Sequence, residues 1–165
     1  MSRHLRTDDR ATSIAINHVL TIGITTLLIG VLLTGAGGLL ETETDRSAET
    51  SLETVGERLA GEIHSVDQLA THDDGGTVTV TAKHPRTVAN SGYTVEILAP
   101  DDCRDAPLIN DSTTNECLEL TSQGADVTTH VPVKTDRPLE TGASAQGGTI
   151  EVATEDGNVT IRGAN

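Results

Sequence analysis

Aromatic residues are nearly missing from this chain of 165 residues: it has no Trp, no Phe and a single Tyr, Tyr93. Ring side chains are the largest source of buried area, so any core must be built from Val, Ile, Leu and Ala. Such a core is thin. It favours a small domain that leans on a staple, a partner or neighbouring copies over a large independent enzyme. Lysine is scarce too, with only Lys83 and Lys134, and 11 basic against 25 acidic side chains leave a formal charge of −14. There is no phosphate-cradling glycine loop, no nucleophile elbow and no Cys/His constellation. The expectation is therefore a protein without catalysis, metal or cofactor.

The charge is unevenly placed. Residues 1–10 carry Arg3, Arg6 and Arg10 against Asp8 and Asp9, whereas residues 41–165 carry 8 basic against 23 acidic side chains. So negative a surface repels nucleic acid and anionic lipid. Between the two lies Ala11–Leu40, thirty residues without a carboxylate, Lys or Arg. As a helix this run spans about 45 Å, enough to cross a hydrocarbon layer of about 30 Å. The basic leader beside it predicts a cytoplasmic N-terminus and an extracellular remainder. "TGAGG" at Thr34–Gly38 loosely matches a signal-peptidase site, but the run before it is too long for an ordinary signal core.

Inside the run, Thr26, Gly30, Thr34 and Gly38 recur at every fourth residue. On a helix they form one ridge of small side chains, the pattern that lets membrane helices approach closely. Glycine and threonine are also common in spanning helices without such a role. Asn17 and His18 lie near the start of the run, at headgroup depth or at an assembly contact.

Beyond Leu40 the helical period persists in polar surroundings. Ala48, Leu52, Val55, Leu59, Ile63, Val66 and Ala70 are spaced by three or four residues, one apolar stripe on a helix. Gly35, Gly37 and Gly38 mark a possible hinge between the two helical parts. From Gly75 the period changes to two. "TVTVTA", "YTVEILA", "CLELT", "DVTTHVPVK", "TIEVAT" and "NVTIRG" read as six short strands, the last two joined by a tight Asp-Gly turn. The expected fold is α+β: a charged leader (1–10), a transmembrane or assembly helix (11–40), its amphipathic extension (41–72), and a β-rich domain (75–165). In that domain a small antiparallel sheet or sandwich covers the helix stripe.

Cys103 and Cys117 are the only cysteines. Outside the cell they most simply form a disulfide; free thiols and half of a metal site are the other readings. Asn110 and Asn158 begin N-glycosylation sequons, which also arise by chance. "THDDGG" at Thr71–Gly76 gathers His with carboxylates, and reads as a helix-ending turn more readily than a cation site.

The layout "DDRATSIAINHVLTIGITTLLIGVLLTGAGG", followed by an amphipathic helix and a β-rich domain, resembles archaeal type IV pilin-like proteins of halophiles. That resemblance implies a class III signal cut by a prepilin peptidase near Arg10, Ala11 and Thr12, with the apolar helix kept on the mature protein. It also implies membrane lipid, the pilus assembly machinery and other pilin-like subunits as partners. Here Ser13-Ile14 replaces the "SP" of many such pilins, His18 comes unusually early, and the early apolar helix lacks an acid. These departures favour a minor subunit. The alternative is a non-polymerising single-pass surface protein whose acidic domain binds a partner or the cell envelope.

Overall fold

The computed structural model describes residues 8–72, 76–104, 106 and 116–164, and the side chains of residues 8–14, 36–41 and 72 fall outside that description. The chain divides into two compact units, Met1–Thr42 and Glu43–Asn165. One helix, α1 (Asp8–His72), contributes to both. Its backbone is helical through Gly35, Gly37 and Gly38, so the glycine cluster does not interrupt the secondary structure.

In the second unit α1 supplies the apolar stripe and seven strands cover it. These are β1 (Thr79–Lys83), β2 (Tyr93–Leu98), β3 (Cys117–Ser122), β4 (Thr128–Pro132), β5 (Ser144–Gln146), β6 (Thr149–Glu155) and β7 (Asn158–Gly163). They form two antiparallel sheets, ordered β1-β6-β7 and β4-β3-β2-β5. Sequence periodicity anticipates six of the seven strands. β1 starts two residues later than its alternation suggests, because Val78 instead exchanges bonds with Thr154: its N–H donates to the hydroxyl, and its carbonyl accepts the Thr154 N–H.

All seven stripe residues are 5 % exposed or less. Leu52, Val55, Leu59, Ile63 and Val66 join Val95, Ile97, Leu118, Leu120, Ile150, Val152 and Ile161 in one core drawn from helix and both sheets, while Ala48 and Ala70 are buried at the ends of the stripe. Each fully buried aliphatic side chain contributes about 1.5–3 kcal/mol, so this stripe carries much of the unit's stability. Gly56 shows how close the packing is. A Cβ there would lie 2.6 Å from Val131 Cγ2 and 2.8 Å from Leu120 Cδ1.

Polar contacts fix the helix end and one flank. Asp67, 1 % exposed, accepts the backbone N–H groups of Asp136 (2.7 Å) and Arg137 (3.2 Å). Arg137 in turn donates to the Ala70 carbonyl at 2.7 Å, one of the carbonyls a helix C-terminus leaves open. His84, fully buried, meets Glu62 at 2.9 Å and so ties the segment after β1 to α1. Tyr93, the lone aromatic, donates its hydroxyl to the Pro85 carbonyl at 2.8 Å. Burial pushes its phenol up to about 12.

Candidate functional site

The first unit has the opposite character. Ala15–Gly35, 21 residues, is long and apolar enough to cross a membrane, and none of it is buried by the rest of the chain. Its large side chains, from Ile16 and Val19 to Leu32 and Leu33, are 52–71 % exposed. Surface this apolar in one contiguous patch makes the segment the candidate site of the chain.

The polar atoms of the segment are managed internally. Thr21 donates its hydroxyl to the Asn17 carbonyl and Thr25 to that of Thr21, both at 2.8 Å. Thr26 donates to Ile22 and Thr34 to Gly30, both at 2.9 Å. A threonine that bonds back four residues exposes its methyl group and hides its donor, which suits a helix in hydrocarbon. Thr26, Gly30 and Thr34 lie at four-residue spacing along this helix, and the space where a Gly30 Cβ would sit is open to 4 Å. The surroundings of Gly38, the fourth member of that ridge, lie outside the described residues. Arg10, Ala11 and Thr12 are helical in backbone, with side chains outside the description.

The two cysteines are bonded, Cys103–Cys117, with Cα atoms 5.8 Å apart and an S–S distance of 2.07 Å. The bridge is buried and packs with Ala106 and Leu98 as a second small cluster. This resolves the open alternatives in favour of the disulfide. Asn110 lies outside the described residues. Asn158 opens β7 at the tip of the β6–β7 hairpin, after Asp156 and Gly157 with φ of 50° and 88°. Its side chain is partly exposed, while Thr160, the hydroxyl residue of that sequon, is buried.

The histidines are dispersed: His84 on Glu62, His130 on Glu119 at 3.2 Å, and His64 near the Lys134 carbonyl at 3.3 Å. Of "THDDGG", Asp73, Asp74 and Gly75 lie outside the described residues. Among the described residues no group of three His, Cys, Asp or Glu side chains is arranged to hold a metal ion.

Two features were not anticipated from sequence. One is β5, whose three residues, Ser-Ala-Gln, are too short a run to read as a strand. The other is an open cleft of about 610 Å³ where the chain crosses from one sheet to the other at Gly147 and Gly148, with Arg86 in its lining. The local sequence cue is "AQGG", a small-residue corner between two strands.

Together these features define an α+β protein with a small disulfide-bonded β-rich unit on an N-terminal helix long and apolar enough to span a membrane. The chain belongs to the DUF7266 family, a family of unknown function, which it matches over residues 7–163. No curated protein and no solved structure matches it.

Proposed function

We propose that this protein is a pilin-like surface protein, held in the cell membrane by α1 and incorporated as a minor subunit into or onto a type IV pilus-like filament. The observation that carries the reading is the wholly uncovered Ala15–Gly35 segment, continuous in one helix with a second half that the β-rich unit seals. An apolar surface of this kind needs lipid before assembly, and packs equally well against copies of itself when drawn into a filament core. The open ridge of Thr26, Gly30 and Thr34 allows helices to approach along one side. In this reading a prepilin peptidase cuts near Arg10, Ala11 and Thr12, the leader stays in the cytoplasm, and the acidic β-rich unit faces outward. A disulfide in that unit suits an oxidising compartment. The reading assigns the protein no catalytic step.

Shearing filaments from cells and probing them for this chain tests the proposal. The expected result is a filament-associated fraction that Gly30→Leu depletes while the membrane-bound level stays unchanged. A chain found only in the membrane, indifferent to that substitution, contradicts assembly and leaves a plain single-pass anchor.

A further inference from the structure

The seven strands wrap one side of α1 and stop on its opposite flanks. β5 lies beside β7, so the strands follow one another around the helix as β1-β6-β7 and then β5-β2-β3-β4. Just beyond β1, His84 meets Glu62 at 2.9 Å; just beyond β4, the Lys134 carbonyl meets His64 Nδ1 at 3.3 Å. Glu62 and His64, two residues apart, are turned about 200° from each other on a helix. The wrap therefore ends in two outer strands, β1 and β4. Among the described residues no further strand pairs with the outer side of either.

Register decides which backbone groups those edges present. Val78 accepts from Thr154 and His84 donates to Gly148. By antiparallel alternation Val80 and Ala82 also bond to β6, and the N–H and C=O groups of Thr79, Thr81 and Lys83 point outward. On the other flank Val127 accepts from Ser122 and Val133 donates to Glu116, which turns Thr128, His130 and the Pro132 carbonyl outward. The faces match as well. Thr79, Thr81 and Lys83 are exposed, and so is Thr128, whereas Val80 and Ala82 are half-buried and Val131 is buried on the core side. Laid antiparallel with Thr81 opposite His130, the two edges set Lys83 against Thr128 and Thr79 against Pro132, and every core-facing residue stays on one side. Charge agrees with this register. Exposed Lys83 has no carboxylate partner and exposed Asp126 no basic one among the described residues. Asp126 stands two residues before Thr128, so it faces Lys83 on the diagonal of the joint.

We infer that each edge is occupied by the other edge of a second copy of this chain: β1 of one copy adds to β4 of the next as an antiparallel strand, with Lys83 meeting Asp126 across the joint. An open strand edge is a template for pairing with another chain, and this chain carries two that fit each other in length, face and charge. Pairing of β1 with a second β1 lacks that fit. Thr81 opposite Thr81 sets Lys83 against Thr79 and leaves both Asp126 and the β4 edge without a partner. A joint between unlike surfaces repeats from copy to copy, where a joint between like surfaces stops at a pair. The inference concerns the second unit alone, and holds for copies side by side in a membrane as for copies in a filament.

The test uses full-length chains in detergent micelles, each with one added cysteine beside the intact Cys103–Cys117 bridge. Thr81→Cys chains are mixed with His130→Cys chains and oxidised mildly. A hydrogen-bonded antiparallel pair has Cα atoms about 5.5 Å apart, within disulfide reach. A covalent dimer of one chain of each kind is therefore expected, with neither variant cross-linking to itself. Lys83→Glu added to the Thr81→Cys chain should slow the reaction about fivefold, as for an exposed ion pair. Asp126→Lys added to the His130→Cys chain should then restore it, a rescue that chance collision between micelles does not give. Thr81→Cys chains that cross-link to themselves as fast as to His130→Cys chains overturn the inference in favour of β1 paired with β1. It is also overturned if no mixed dimer forms, or if Lys83→Glu leaves the rate unchanged. Any of these results leaves the filament reading standing, since that is judged by the sheared fraction and Gly30→Leu.

Discussion

Two stretches of one helix solve the same problem in opposite ways. Between Ala48 and Ala70 the large apolar residues other than Leu69 keep to a single stripe, and the chain's own strands bury it. Between Ala15 and Gly35 they occupy every side, and the chain covers none of them. A stripe can be satisfied by one partner surface, here the two sheets. A helix apolar all round needs surroundings on all sides, which lipid or a bundle of like helices provides and a small β-rich unit does not. The difference places the folded core on the second stretch and leaves the first to surroundings outside the chain.

Leucine truncation sharpens that contrast most. Leu59→Ala, in the buried stripe, should lower the unfolding free energy of the second unit by about 3–4 kcal/mol in chemical denaturation. Leu28→Ala, 54 % exposed in the first stretch, should leave it unchanged. Equal effects would erase the distinction. Reduction of Cys103–Cys117 should cost the same unit about 3 kcal/mol through the released loop, read as a lower denaturation midpoint, while helicity of the first stretch persists.

Tyr93 gives an alkaline signature. Its folded phenol titrates near 12 against 10.0 for the free group because burial disfavours the anion. A raised acid of this kind lends stability that is fully present below pH 10 and lost as pH climbs through 12. The loss should reach about 2–3 kcal/mol, and Tyr93→Phe should abolish it. A profile flat from pH 9 to 12 in the native chain would contradict this burial.

Glycine substitutions give the smallest effects and separate surroundings from helix propensity. Gly56→Ala meets Val131 and should destabilise by about 2 kcal/mol through overpacking. Gly61→Ala, with open space around it, should stabilise by about 0.5–1 kcal/mol through propensity alone. Thermal unfolding of the two variants should shift in opposite directions.

Much of this architecture is legible in the residues because it rests on short-range periodicity. The stripe from Ala48 to Ala70 and the hairpin at Asp156-Gly157 follow from spacing and turn chemistry alone. β5 does not: Ser144, Ala145 and Gln146 are too short a run to show a period, and the strand exists because β2 offers them its edge at Thr94, Val95 and Glu96. The division into two sheets is equally hidden, since it depends on where the chain turns at Gly147 and Gly148. The Asp67 clamp on residues 136 and 137 and the Glu62–His84 contact join positions far apart in sequence, and no local pattern announces them. The apolar segment is plain in the sequence, yet a helix in isolation does not say which neighbours it meets.

The most direct measurement is the intact mass of the protein extracted from cell membranes. The account predicts a chain beginning near Thr12 that still carries Ala15–Gly35. A product that starts beyond Gly38, or one that retains Met1 and the whole leader, would contradict it.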